Sequence, residues 1–231
     1  MVKFSIVIPT FNEAKYIGAT LEAIKGQTFK DYEIIVKDGK STDETISKAR
    51  KHADKVLTTT DTSAGDARNQ GASHAVGDIL VFVDADTTLP IDTLQKFNNL
   101  LKDERVVGVS CRKICQSHSL LDRLLYEFVN ISTYVSSQLG VGGAHGNCMA
   151  VRKYVFESIG GFNSNIMVGE EQNLVRRARK FGNYLFLLNH CVLEHPRRVR
   201  KWGRRRLYWT WFIGMFNSLS AGKRQFYEKV R

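Results

Sequence analysis

The sequence predicts an α/β domain built on a mainly parallel sheet. Short apolar, β-branched runs alternate with segments of helical period through the first half of the chain. Polar and acidic residues gather just after those runs, at the carboxyl ends of strands where an open parallel sheet binds its ligands. The 231 residues, 43% apolar and 25% charged, suffice to bury one large core.

In chain order, strands are read over 4–8, 32–37, 55–58 and 79–83, and helices over 13–25, 42–52, 63–75 and 90–101. Pro90 suits a first helical position, and Asp38-Gly39 suits a turn. Beyond a short apolar run at 106–109 the rhythm loosens. Residues 120–135 have helical period, 140–146 are glycine-rich, and 148–159 read as a strand and helix. A helix over 170–181 opens on Glu170 and Glu171 and closes on Arg176, Arg177, Arg179 and Lys180, which complements the helix dipole. A last strand precedes His195. Without internal repeats, the simplest organisation is one domain over 1–194, in two halves at 1–104 and 105–194. A basic, aromatic helical appendage occupies 195–231.

The formal charge of +11 is local: residues 195–231 carry +10, and the body before them is nearly neutral. Seven bases fall in 197–206, and a nearly continuous aromatic and aliphatic run follows. Trp202, Trp209 and Phe216 recur every seven residues on one helical face. Such a segment fits peripheral membrane contact through 197–222, with bases on anionic headgroups and aromatics at the acyl boundary. Packing on protein or pairing of two copies are the alternatives. Cys111, Cys115, Cys148 and Cys191 lack zinc-finger spacing. The opening apolar run is too short for a signal-peptide core and no stretch is long enough to span a bilayer, so a cytoplasmic chain with reduced thiols, peripheral on the cytoplasmic membrane face, is the expectation.

Four strand-end segments carry the chemistry: Pro9-Thr10-Phe11-Asn12-Glu13, Asp38-Gly39-Lys40-Ser41, Arg68-Asn69 in the third helix, and Asp84-Ala85-Asp86. Each has a structural explanation as a cap, turn or surface base. An Asp-x-Asp at a strand end also presents hard oxygen ligands to Mg²⁺ or Mn²⁺, which would in turn hold a diphosphate.

The ordered set resembles the family-2 glycosyltransferases of GT-A fold, over about residues 4–182. The resemblance implies an inverting, metal-dependent transfer of a single sugar from a nucleoside-diphosphate sugar of UDP or GDP type. Pro9, Thr10, Asn12, Glu13, Asp38, Arg68, Asp84, Ala85 and Asp86 would then line the donor, with Asp84 and Asp86 on the metal and His195 as a further ligand. Gly143, Ala144, His145 and Gly146 resemble the acceptor loop, and Glu171, backed by Glu170, stands at the family's catalytic base, usually an aspartate. Lys40 stands where a serine is usual, and the Gln-x-x-Arg-Trp segment of processive synthases is missing. The acceptor expected is a sugar or lipid-linked sugar; a polyprenyl phosphate is the alternative. A nucleic-acid-binding protein would explain the basic tail and leave the four strand-end segments unexplained.

Overall fold

The computed structural model describes residues 3–117, 119–166, 168–197, 199, 203 and 205–210. Strands β1 (Phe4–Thr10), β2 (Tyr32–Asp38), β3 (Lys55–Thr58) and β4 (Ile79–Val83) alternate with helices α1 (Ile17–Lys25), α2 (Thr45–Ala49) and α3 (Ala64–Ala72). The two-residue β5 (Thr87–Thr88), α4 (Thr93–Leu100), β6 (Val106–Cys115) and the long α5 (Leu120–Gln138) follow. β7 (Cys148–Arg152), α6 (Lys153–Ser158), α7 (Glu170–Ala178) and β8 (Asn183–Glu194) complete the order.

All eight strands form one sheet in the order β3-β2-β1-β4-β7-β6-β8-β5. β1 pairs in parallel with both β2 and β4, so the strand order reverses beside β1. That reversal opens the crevice in which α/β sheets bind ligands. The second half departs from parallel pairing, because β7 runs antiparallel to both β4 and β6. β6 and β8 are parallel again, and β5 is stitched antiparallel to the end of β8.

Strands β1, β2 and β4 are almost wholly buried, as near-continuous Val, Ile and Leu runs require. One apolar cluster, with Ile6, Ile8, Val36, Val81 and Phe97, packs against α1 and α4. A second, with Val7, Ile35, Leu80, Phe82 and Phe162, packs against α7.

Several helices start later than their sequence signals. α1 begins at Ile17 and α2 at Thr45, because the backbone N–H groups before them are satisfied between loops. Asn12 N–H donates to Ser41 Oγ at 2.7 Å, Thr42 N–H to Asn12 Oδ1 at 2.9 Å, Glu13 N–H to Thr45 Oγ1 at 2.7 Å and Ala14 N–H to Asp43 Oδ2 at 3.1 Å. Asn12 and Lys40 both take left-handed backbone, φ 54° and 66°, to make these turns. Pro90 does not open α4; its carbonyl accepts from Thr93 N–H and Oγ1 at 3.1 and 2.8 Å. Ser63 caps α3, accepting from Asp66 N–H at 3.1 Å. No helix among the described residues is long and apolar enough to cross a membrane. Arg198, Arg200, Trp202 and residues 211–231, including Phe216, lie outside the described residues.

Candidate active site

The fold brings the strand-end segments to one crevice. Arg68, 3% exposed on α3, sits at its centre. Its Nη2 donates to Asp84 Oδ1 at 2.8 Å and to the Gly146 carbonyl at 3.2 Å, and its Nη1 donates to Glu170 Oε1 at 2.9 Å. The guanidinium also lies over the Phe162 ring, 5.4 Å from its centroid. Burial works against its charge, but the Asp84, Glu170 and Glu171 carboxylates outweigh that and raise its pKa. One side chain thus ties the Asp84 turn, the 140–146 loop and the start of α7 together.

Asp38, fully buried at the end of β2, accepts from Thr10 Oγ1 at 2.9 Å, Ser41 Oγ at 2.6 Å and Ser41 N–H at 2.7 Å. These bonds fix the carboxylate between the loops after β1 and β2, beside Pro9. The turn carrying Asp84 and Asp86 is fixed as well. Asp84 N–H donates to the Asn147 carbonyl at 3.2 Å, Thr87 N–H to the Asp84 carbonyl at 3.1 Å, and Thr20 Oγ1 to the Ala85 carbonyl at 2.7 Å.

The pairing of β5 with β8 is what brings His195 to this turn. Thr87 lies opposite Glu194, so His195 N–H reaches the Asp86 carbonyl at 3.1 Å. Its ring packs on Tyr16 with centroids 4.4 Å apart. Two residues on, the Arg197 guanidinium bridges Asp86 Oδ2 and Glu13 Oε1. Glu194 is buried and pairs with Lys113 Nζ at 3.3 Å. Arg197, Tyr16, Lys113 and Glu194 escaped the sequence reading, for only the edge pairing of two distant segments reveals them.

These residues suit a hard divalent cation. Asp84 and Asp86 offer carboxylate oxygens beside the His195 segment, and the Arg197 guanidinium already sets one positive charge against Asp86 and Glu13. No three His, Cys, Asp or Glu side chains among the described residues converge as a complete cage. Mg²⁺ usually completes its shell with waters and substrate phosphates, so two carboxylates are enough protein ligands.

On the opposite wall, Gly169 adopts φ 83° and α7 starts at Glu170. Glu170 turns inward to Arg68, whereas Glu171 keeps some exposure. Burial, followed by the Glu170 charge, pushes the Glu171 carboxyl from 4.5 up to about 8. Gln172 clamps the glycine-rich loop from both sides. Its Oε1 accepts from Gly143 N–H and its Nε2 donates to the Ala144 carbonyl, both at 2.6 Å. His145 points away from this clamp into the protein, with Nε2 3.0 Å from Asn130 Oδ1 and its ring edge-on to Phe186. Burial, then Lys113, drives its pKa well below 6.5, so the ring is neutral. The loop therefore keeps Gly143 and Ala144 buried under Gln172, leaves Gly146 partly exposed with its carbonyl on Arg68, and packs His145 beneath α5.

Arg68→Ala leaves two buried carboxylates without their shared cation and should destabilise the fold by about 3–5 kcal/mol in denaturant titration. Adding Glu170→Gln should recover part of that loss, measured as a double-mutant cycle. Glu171 predicts a pH effect of defined sign. Its native pKa is raised from 4.5 to about 8, so the folded chain holds a proton that the unfolded chain releases over this range, and stability falls as pH rises through it. Thermal melts should show that slope in the wild type and a shallower one in Glu171→Gln.

Comparison with known proteins identifies the family and the fold. The amylovoran biosynthesis glycosyltransferase AmsB of Erwinia amylovora is 34% identical over 138 residues, 56% of this chain and 42% of its own length. A PGL/p-HBAD biosynthesis glycosyltransferase of Mycobacterium tuberculosis is 41% identical over 100 residues, 40% of this chain and 39% of its own. The matches thus span about two fifths of each of these relatives. Among solved structures, the mannosyltransferase PcManGT of Pyrobaculum calidifontis, in complex with GDP-Man and Mn²⁺, superposes with a TM-score of 0.76 at 26% identity. That match covers 96% of this chain and 66% of PcManGT. The α/β architecture, with its curled and mostly parallel sheet, is therefore the GT-A fold. The model of glycosyl transferase family 2 matches residues 5–160, more than half of the sequence, and the chain belongs to that family.

Proposed function

We propose that the chain transfers a single sugar, with inversion, from a nucleoside-diphosphate sugar of UDP or GDP type to an acceptor hydroxyl, with Mg²⁺ or Mn²⁺. The observation that carries this reading is the facing of two kinds of acid across Arg68. The Asp84 and Asp86 turn lies on one side, and on the other stands Glu171, whose carboxyl is raised to about 8. A transferase needs both a diphosphate-binding edge and a proton acceptor of matched strength.

In this reading the 1–104 half binds the donor. Asp38, held by Thr10 and Ser41, offers oxygens to ribose hydroxyls or a base N–H at the mouth of β2. Arg68 holds the Asp84 carboxylate in place. Asp84, Asp86 and His195 would hold the metal, which when bound neutralises charge on the departing diphosphate. Arg197 adds a guanidinium at the same edge and suits phosphate oxygens when it turns from Asp86.

The 105–194 half receives the acceptor. Gln172 sets the height of the 142–144 backbone, whose glycines make room for Gln172 and Ser137: a Cβ at Gly142 would lie 2.4 Å from Gln172 Oε1 and one at Gly143 2.5 Å from Ser137 Cβ. Glu171 accepts the proton of the attacking hydroxyl, and its raised pKa makes it a stronger base than an exposed glutamate. One displacement on the far side of the leaving diphosphate inverts the anomeric centre without a covalent intermediate. The basic segment 197–222 fits a lipid-linked acceptor and supports a peripheral position at the cytoplasmic membrane face.

Calorimetric titration with UDP, GDP and their sugars, with and without Mn²⁺, tests the donor site. Metal-dependent binding of one nucleotide, lost in Asp86→Ala, is expected; a folded chain that binds none overturns the reading. With a hydroxyl acceptor, Glu171→Gln should lower kcat about 10²–10⁴-fold, and the wild-type rate should rise with pH to a plateau above about 8. A polyprenyl phosphate is already ionised, so a mild effect of Glu171→Gln would identify a phosphate acceptor.

A further inference from the structure

Helix α5 is inside out. Its buried face is polar, made of Asp122, Tyr126, Asn130, Thr133 and Ser137. These polar groups are engaged: Asp122 accepts from Ser117 Oγ at 2.6 Å, and Asn130 exchanges bonds of 3.1 and 2.9 Å with the Lys113 backbone. Its outward face carries Leu124, Phe128, Ile131, Val135 and Leu139, exposed by 58, 68, 56, 47 and 71%. Their spacing of three and four residues makes one stripe along the helix. Arg123 and Gln138 are exposed polar residues of α5, and Glu127, its side chain 38% exposed at the margin of the stripe, is paired with Arg112. A surface helix ordinarily has the opposite polarity, and a contiguous exposed apolar stripe marks a surface that something covers.

Charge decides among the occupants. The first described turns of the basic tail dock beside this helix, where Val199 and Leu207 are buried against Cys115 and Tyr126. Arg205 and Arg206, exposed next to Leu207, belong to a segment that carries +10 over 195–231. A second copy of the chain would bring two such tails together and repel them, whereas an anionic lipid surface satisfies bases and apolar stripe at once. We propose that α5 is a membrane-docking helix. It lays its Leu124 to Leu139 stripe into the acyl boundary of an anionic bilayer while the tail engages headgroups. For its charge argument the inference rests on the tail contact proposed above, and it assigns the apolar half of the contact to a different element. At about 1.5 Å per residue, the stripe from Leu124 to Leu139 runs about 22 Å along the helix. α5 runs directly into the loop clamped by Gln172, so docking in this way brings the acceptor side of the crevice to the lipid surface.

The test is flotation of the purified full chain with vesicles of phosphatidylglycerol and phosphatidylcholine, or of phosphatidylcholine alone. The wild type is compared with Leu124→Glu/Phe128→Glu/Ile131→Glu. Because these side chains face outward, the variant should keep the wild-type melt and nucleotide binding, which report separately on fold and donor site. The wild type should float with the anionic vesicles, and the triple variant should partition at least tenfold less. Partition unchanged by the three glutamates would overturn the inference and leave the tail as the sole contact. A dimer that the triple variant dissociates, with no change in flotation, would overturn it in favour of a second copy. Equal flotation of the wild type with both vesicles, still lost in the variant, would support α5 docking and refute the charge contribution of the tail.

Discussion

The site depends on a buried cation that serves two carboxylates from opposite halves of the chain. Asp84 comes from the end of β4 and Glu170 from the start of α7, and Arg68 holds both at 2.8–2.9 Å in a place with almost no solvent. Burying three charged groups is costly unless each finds partners, so the arrangement persists only as a unit. Its placement makes the position of the Asp84 turn relative to the start of α7 a matter of ion-pair geometry rather than of loop flexibility. Because Glu171 follows Glu170 on the same helix, its distance from the Asp84 turn is set by the same ion pair.

Around that centre, the ligand-facing loops are laced to each other rather than to their own helices. Asp38 is held by Thr10 and Ser41, Asn12 by Ser41 and Thr42, and the 142–144 segment by Gln172. Such cross-loop bonds hold the groups in place before any ligand arrives, which lowers the ordering cost of binding. The delayed starts of α1 and α2 are the structural sign of this lacing, because side chains from a neighbouring loop occupy the donors that a longer helix would have used.

Much of the fold was legible because β-branched runs and helical periods are local signals. Strands 55–58 and 79–83 match β3 and β4, and the polar clusters after the strands fall at one edge of the sheet. What escaped reading was long-range. The antiparallel insertion of β7, the short β5 and the extension of β6 to Cys115 depend on pairing partners far along the chain. The same holds for the site: Asp84 and Asp86 announce themselves by spacing, whereas Arg197 and Gln172 look like an ordinary basic run and an ordinary helix start. Their roles arise from contacts with |i−j| of 111 for Arg197 with Asp86 and 29 for Gln172 with Gly143. The polarity of α5 illustrates the limit of periodicity, which identifies a helix without saying which face turns inward.

The stitching of β5 to β8 also sets an order of assembly. The Asp84 turn is complete once β4 and β7 have paired, but β5 has no partner until the last strand is made, and His195 and Arg197 ride on the residues just beyond that strand. During synthesis the acids of the donor edge therefore exist long before the groups that close over them. A nascent chain halted before β8 would carry the Asp84 turn with an open rim, and the His195 and Arg197 contacts to Asp86 form only when β8 seals that edge of the sheet.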